Sequence, residues 1–326
     1  MSEPETTAQN QTSQETAAQQ ETSQDRFRSG FVSILGRPNV GKSTLLNALT
    51  RARLAIVTDK PQTTRTLIQG VLTLPNAQIV FLDTPGIHKP DSVFNQRMME
   101  TVRAALEERD LLLYLVDATA PVTDEEREAI HMVLATGTPT FLVINKIDRV
   151  RDKSKLLPLI DEYRKVGDFA EYIPISALQG DGLDILQNAI VQRLPEGPAY
   201  FPPDYLTDQP ERFLAAELIR EKIMHLTRQE VPHAVAVVVD RWEETPELLH
   251  IYATIYVEKE GQKAIVIGAG GQMLKKVGTA ARQEMEALFG RKIFLELYVK
   301  VRKRWREDPR FLAELDWRSA LGKFRD

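Results

Sequence analysis

The sequence predicts an α/β domain built on a mostly parallel, doubly wound sheet, followed by a small α+β unit. Three observations carry this expectation. Short continuous apolar runs alternate with amphipathic helical stretches through the first 195 residues, the pattern of strands buried on both faces. Five prolines then fall within residues 195–210, where no helix or interior strand survives. Beyond them the order of elements changes.

Residues 1–25 are rich in Gln, Thr, Ser and Glu and hold no aromatic residue. They cannot bury enough apolar surface to offset their ordering entropy, so a disordered tail is expected. Strands are expected at 31–35, 77–82, 111–116, 140–144 and 172–175, with helices at 43–50, 93–108, 124–135, 153–166 and 182–193. Residues 67–74 read as an antiparallel edge strand, joined to the next by a Pro-Asn turn. After the linker come a helix at 211–226, strands at 234–240 and 250–258, a short helical piece at 263–267, a long helix at 271–289 and a strand at 292–299. The expected domains are therefore 26–195 and 211–310, joined by a semi-rigid Pro-rich linker at 196–210 and followed by an extension at 311–326.

Composition narrows the function. With 43% hydrophobic and 27% charged residues among 326, the chain reads as soluble and globular, and no apolar run nears the roughly 18 residues that cross a bilayer. Nothing resembles a secretory leader, so a cytoplasmic location is expected. There is no cysteine, and the five histidines never stand at ligand spacing, which excludes a thiolate or zinc cluster. The net charge of −4 is unevenly spread: residues 211–326 hold 21 Lys+Arg against 18 Asp+Glu, the first 210 hold 21 against 28. The basic excess peaks in VKVRKRWR at 299–306, a solvated strand end or a phosphate-facing patch.

Four short motifs point to a nucleotide. Gly36, Arg37, Pro38, Asn39, Val40, Gly41, Lys42 and Ser43 fit G-x-x-x-x-G-K-S, with Thr44 next, between an expected strand and an expected helix. Glycines there let backbone N–H groups turn inward on phosphate, Lys42 reaches the β- and γ-phosphates, and the Ser43 hydroxyl ligates Mg²⁺. Asp83, Thr84, Pro85 and Gly86 close another expected strand; the carboxylate can hold the metal through water and Gly86 can donate to the γ-phosphate. Alone, that tetrapeptide is a type II turn. Asn145, Lys146, Ile147 and Asp148 follow a third. The Asp148 carboxylate can accept from the two donors on guanine's edge, whereas adenine would leave it unpaired, at a cost of roughly 1–3 kcal/mol or more. Asn145 is expected to tie this loop to the phosphate loop, Lys146 to lie along the base, and Ser176-Ala177 to offer a backbone N–H to guanine O6. Four motifs in this order, each at the carboxyl end of a strand, predict a P-loop GTPase that binds GTP and GDP.

Between the first two motifs, Thr64 (preferred to Thr63) is expected to close over the nucleotide as a second hydroxyl ligand of Mg²⁺. Lys42, Thr64, Asp83 and Gly86 are thus the catalytic candidates. Position 87 is Ile87, not a glutamine able to orient water, so turnover should be slow or need an outside contribution.

GRPNVGKSTLLNAL, KPQTTR, FLDTPGIH, NKID and the SA pair resemble the Era family of bacterial GTPases, within the TrmE–Era–EngA group. The likeness continues through YFPPDYLTDQPERFLAAELIREKI and covers about residues 27–310. The resemblance implies K⁺ assistance through Asn39, although a loop-bracing Asn39 fits equally. It also implies a type II KH domain after the linker, whose order of elements this chain matches. The RNA-gripping G-x-x-G would be Gly268, Ala269, Gly270 and Gly271, where missing side chains let an RNA backbone approach. Lys275, Lys276, Arg282 and the 299–306 run would meet further phosphates. Era-like loops commonly carry lysine where Ala269 stands, which weakens phosphate contact modestly. The implied partners are the 3′ region of 16S rRNA and the 30S subunit, in ribosome assembly and rRNA maturation, with peripheral contact at the inner membrane and a monomeric state. Two rivals are a second domain that binds protein, and a tRNA-modifying enzyme, which would want a cysteine or a folate domain.

Overall fold

The computed structural model describes residues 27–88, 92–227 and 231–318; the expected tail at 1–25 and the end of the extension lie outside them. The first sheet is formed by β1 (Arg28–Gly36), β2 (Ile68–Leu74), β3 (Ala77–Asp83), β4 (Leu111–Asp117), β5 (Thr140–Asn145) and β6 (Glu171–Pro174). Its order is β2-β3-β1-β4-β5-β6, parallel throughout except for the antiparallel β2–β3 hairpin. The helices between the strands are α1 (Lys42–Thr50), α2 (Val93–Ala104), α3 (Asp124–Leu134), α4 (Leu156–Arg164) and α5 (Leu183–Arg193).

Alternation along β4 explains why that strand is apolar without a break. Leu111, Leu113 and Leu115 enter one core with Leu45, Leu49 and Leu186. Leu112, Tyr114 and Val116 enter a second core on the opposite face, with Val102, Ile130 and Tyr163. Both faces are covered, as a doubly wound sheet requires.

Several helix ends differ from the sequence expectation; the helix expected at 263–267, for one, already begins at Glu260. Helix α2 stops at Ala104, and Glu108 downstream adopts a left-handed φ of 53° that no helix continues through. Residues Lys153–Lys155 form a separate 3₁₀ turn ahead of α4, which places Pro158 in the first turn of α4, where a missing N–H costs nothing.

The Pro-rich segment does not hang free as a spacer. The buried Gln78 side chain accepts from the Tyr200 and Phe201 N–H groups at 2.7 and 2.9 Å. Val71 N–H donates to the Leu206 carbonyl at 2.8 Å, and the Thr207 hydroxyl to that of Gln69 at 2.7 Å. The segment thereby covers the edge strand β2, whose open N–H and C=O groups would otherwise invite pairing.

The second unit runs α6 (Glu211–Leu226), α7 (Val231–Ala234), β7 (Ala236–Glu244), β8 (Leu249–Val257), α8 (Glu260–Ile267), α9 (Gln272–Phe289), β9 (Ile293–Val301) and α10 (Pro309–Leu315). The strand expected at 234 thus begins two residues later, behind the single turn α7, and extends to Glu244. In its sheet β8 pairs antiparallel with β7 and parallel with β9. Helices α6 and α9 cover one face through Ala215, Ile219, Ile223, Val277, Ala281 and Met285. Phe94 and Met98 of α2 form a shared cluster with Trp305, Phe311 and Leu312, so the two units are packed together.

Candidate functional site

The loops after β1, β3, β5 and β6 meet at the carboxyl edge of the first sheet, around a cleft of about 430 Å³. The phosphate loop has glycine where geometry demands it. Gly36 has φ of +139° and a Cβ there would stand 2.4 Å from the Leu115 carbonyl oxygen. Gly41 has φ of +103° and a Cβ would meet Asn145 Nδ2 at 2.3 Å. Lys42 is buried, and its ammonium donates to the Gly36 and Arg37 carbonyls at 3.1 and 2.9 Å. Burial pushes its pKa down to about 8, against the pull of Asp83 and Glu126. A cation held at the cleft wall by carbonyls alone is suited to a phosphate.

Three oxygens converge beside it. Ser43 Oγ donates to Asp83 Oδ2 at 2.6 Å and lies 2.8 Å from Thr64 Oγ1, which itself reaches Asp83 Oδ2 at 3.3 Å. Thr63 points elsewhere, pairing with the Thr58 hydroxyl at 2.7 Å. Asp83 is fully buried and its Oδ1 has no hydrogen-bond partner. Burial pushes its carboxyl up to about 6, against Lys42 and its two hydroxyl donors. An orphaned buried carboxylate oxygen next to two hydroxyls is a donor set of the hard, all-oxygen kind that Mg²⁺ takes. Gly86 lines the same cleft, and a Cβ on it would strike Pro38 at 2.7 Å.

At the other end, Asn145 donates to the Val40 carbonyl at 2.8 Å and accepts from Ala177 N–H at 2.9 Å, tying three loops together. Lys146 spans from the Asn39 carbonyl, at 2.6 Å, to Asp117 Oδ2, at 2.7 Å. Asp148 Oδ1 accepts from the Ser176 hydroxyl at 2.6 Å. Asn39 Nδ2 donates to the Asp59 carbonyl at 3.0 Å.

Some expected nucleotide contacts are supports of the cleft instead of its lining. The Arg37 guanidinium turns away to the Thr123 hydroxyl at 2.7 Å. Thr84 spends its hydroxyl on the Ile34 carbonyl at 2.9 Å. Pro85 is buried. Ile87 sits in the second core and its N–H holds the Gly36 carbonyl at 3.0 Å. Ile147 N–H holds the Ile175 carbonyl at 3.2 Å. Ser176 N–H is likewise engaged, with the Asp181 carbonyl at 2.9 Å, which leaves Ala177 N–H, bonded to a side-chain oxygen, as the one easier to share.

In the second unit Gly268, Ala269, Gly270 and Gly271 form the turn between α8 and α9. Gly268, Gly270 and Gly271 have φ of +72°, +56° and +79°, and a Cβ on Gly268 would meet Met273 Cβ at 2.7 Å. Around Gly270 and Gly271 the space is open. Lys275 and Lys276 are exposed on α9, opposite its buried Val277, Ala281 and Met285. The basic run is less available than its sequence suggests: Arg302 pairs with Asp308 at 2.6 Å, Arg306 with Glu258 at 2.5 Å, and Trp305 is buried. Arg282 pairs with Glu286 at 2.9 Å.

The family model of 50S ribosome-binding GTPases matches residues 31–146, and that of the KH domain matches 230–306. GTPase Era of Syntrophus aciditrophicus is 52% identical over 293 residues, which are 89% of this chain and 95% of that protein. GTPase Era of Geobacter metallireducens is 53% identical, over 89% and 98%. The chain belongs to the Era family of GTPases. Two solved Era structures superpose with a TM-score of 0.87 at 43% identity, over 89% of this chain and 99% of theirs. One is a variant of Aquifex aeolicus Era bound to GDP·AlF4⁻. The other is Era in complex with MgGDPNP and nucleotides 1506–1542 of 16S ribosomal RNA. A P-loop GTP hydrolase domain followed by a KH domain is the Era arrangement, and this chain has it.

Sequence reasoning missed part of the Era cleft wall, namely Ile56, Val57, Asp59, Gln62, Arg149 and Leu178. It also missed what grips that wall from outside. The buried Glu221 of α6 accepts from Val57 N–H at 2.9 Å and pairs with Arg53 at 2.5 Å. His225 Nε2 meets the Val57 carbonyl at 3.0 Å. Arg65 Nη1 donates to the Val235 carbonyl at 2.8 Å, its guanidinium lying over the rings of Phe94 and Trp305. None of these partners is local in sequence.

Proposed function

We propose that this Era-family chain hydrolyses GTP with Mg²⁺ in the cleft of its first domain and binds the 3′ region of 16S rRNA with its second, in 30S subunit assembly and rRNA maturation. The observation that carries this reading is the convergence of Ser43, Thr64 and Asp83 beside the buried Lys42, with one carboxylate oxygen left unpaired. Bound Mg²⁺ would neutralise developing phosphate charge. Ser43 and Thr64 would ligate it directly and Asp83 through water, while Lys42 and the Gly36–Ser43 backbone hold the β- and γ-phosphates. Asp148 would read guanine, with Lys146 along the base and Ala177 N–H shared with O6. Ile87, buried in the core, cannot orient an attacking water, so hydrolysis is slow without help. Gly268–Gly271 with Lys275 and Lys276 would take the RNA backbone, which the RNA complex of the Era relative supports.

Asn39 Nδ2 donates directly to the Asp59 carbonyl, which supports the loop-bracing role; K⁺ assistance would need the Asn39 side chain to turn its oxygen inward, and equal turnover in KCl and NaCl would remove that ion. Cytoplasmic location and a monomeric state complete the reading. For peripheral membrane contact, the exposed Lys300, Lys303 and Arg304 are the support within this chain. The decisive experiment is sedimentation with 30S subunits in GDP and in a non-hydrolysable GTP analogue. The nucleotide is expected to switch RNA binding, with tighter association in the analogue; equal affinity would end that switch.

A further inference from the structure

Thr64 is held between two anchors that belong to the second domain. The carbonyl of the preceding residue, Thr63, accepts from the Arg220 guanidinium of α6. The side chain of the following residue, Arg65, donates to the Val235 carbonyl at 2.8 Å. Arg220 is itself fixed: it is buried, Glu217 accepts from its Nε at 2.7 Å, and its Nη1 faces Met224 Sδ at 3.2 Å. One helical position further, Glu221 holds Val57 N–H. Adjacent residues of one helix thus grip both ends of the segment that carries the Thr64 hydroxyl.

We propose that Arg220 is a positioning residue for Thr64, setting the distance of its hydroxyl from Ser43 and Asp83, so that the placement of the KH domain is read at the metal site itself. This rests on the reading of Ser43, Thr64 and Asp83 as the Mg²⁺ set. Neighbouring Cα atoms stand about 3.8 Å apart, so the anchor on the Thr63 carbonyl, with the Arg65 side chain tethered on the other flank, limits how far the Thr64 backbone can shift. With Thr64 in its present rotamer, its backbone cannot carry the hydroxyl away from the 2.8 Å contact with Ser43 unless an anchor breaks or α6 moves. A rotation of the second domain therefore displaces a metal ligand, and RNA bound on α9 acts on hydrolysis through α6, which packs against α9 in the same core.

The test compares the full-length protein with Arg220→Lys, Arg220→Met, the double variant Glu217→Gln/Arg220→Met, which leaves no unpaired carboxylate, and Thr64→Ala. Hydrolysis is followed over a Mg²⁺ titration, fluorescent GTP binding is measured without turnover, and amide hydrogen exchange is read over residues 57–66. A reacting group misplaced by about 1 Å can cost on the order of 100-fold. The Met variants are therefore expected to lose roughly 10- to 100-fold in kcat and to need about tenfold more Mg²⁺, with KM for GTP within about twofold. Exchange at 57–66 should rise, and Arg220→Lys should fall between. A merely structural role predicts a lowered melting temperature with no change in the Mg²⁺ midpoint, and that result would overturn the proposal, as would unaltered exchange at 57–66. Thr64→Ala separates the two readings. If it leaves the Mg²⁺ requirement unchanged, the metal assignment itself fails; if it shifts that requirement and the Arg220 variants do not, only the brace is wrong.

Discussion

Replacing Asp83 by asparagine should stabilise the protein in EDTA while abolishing its Mg²⁺-supported hydrolysis. Burial raises the Asp83 carboxyl from 3.8 to about 6 even though Lys42, Ser43 and Thr64 oppose the shift. That gap, about two pKa units, corresponds to ~3 kcal/mol of destabilisation by the ionised form. The sign follows from linkage. Below about pH 4 the carboxyl is protonated in both folded and unfolded chains, and no penalty exists. As pH rises through about 6 the unfolded chain ionises first, so folded-state stability is lost, and above that the full penalty stands. Asparagine escapes ionisation, but its amide N–H groups would occupy the place of the unpartnered Oδ1, an unmade hydrogen bond worth ~1–2 kcal/mol. The net gain is therefore ~1–2 kcal/mol near neutral pH, turning into a net loss of similar size near pH 4. Urea unfolding of both proteins without nucleotide, at several values between about pH 4 and pH 7.5, measures the difference directly. A variant-minus-wild-type difference that stays flat with pH, or falls as pH rises, would refute the idea that this carboxylate is held in wait for a cation.

Asp148→Asn should lower GTP affinity by roughly 100-fold, from about 2–3 kcal/mol of lost charged hydrogen bonding, and raise affinity for xanthosine triphosphate, as competition against a fluorescent guanine nucleotide will record. Gly41→Ala forces a Cβ to within 2.3 Å of Asn145 Nδ2 at a φ of +103°, so it should break the Asn145 tie, cost about 2 kcal/mol or more in thermal unfolding, and abolish nucleotide binding. Replacing Lys275 and Lys276 together by glutamine should weaken 16S fragment binding at all sequences and make the log–log salt slope shallower by about 1.4 units, measured by filter binding; an unchanged slope would move the RNA away from α9.

The strands, their mostly parallel arrangement and the loops that carry the four motifs were legible because each is local. A strand that ends in Gly36, Asp83 or Asn145 at the same edge of a parallel sheet delivers its next residues to one place. Of the two threonines weighed, Thr64 meets Ser43 and Thr63 meets Thr58. Charge read along the line was the weaker guide: in VKVRKRWR the sequence shows five cations, whereas folding pairs Arg302 and Arg306 with carboxylates and buries Trp305. What holds the Pro-rich segment is equally remote, since the buried Gln78 that captures it is more than a hundred residues away.

What linear reading could not reach is how the segment between α1 and β2 is held. Among the described residues 51–67 there is no helix and no strand, so this stretch has no hydrogen-bond ladder of its own to set Thr64 beside Ser43 and Asp83. Its order comes from outside, from Glu221 at Val57, Arg220 at Thr63 and Val235 at Arg65. Such borrowed order is cheap to withdraw, since moving α6 releases the contacts at Val57 and Thr63 together and leaves the β-sheet untouched. An enzyme without a water-orienting side chain at Ile87 gains its control point here. If Thr64 serves Mg²⁺ as proposed, hydrolysis can wait on the position of the second domain, because that domain braces the segment on which Thr64 stands.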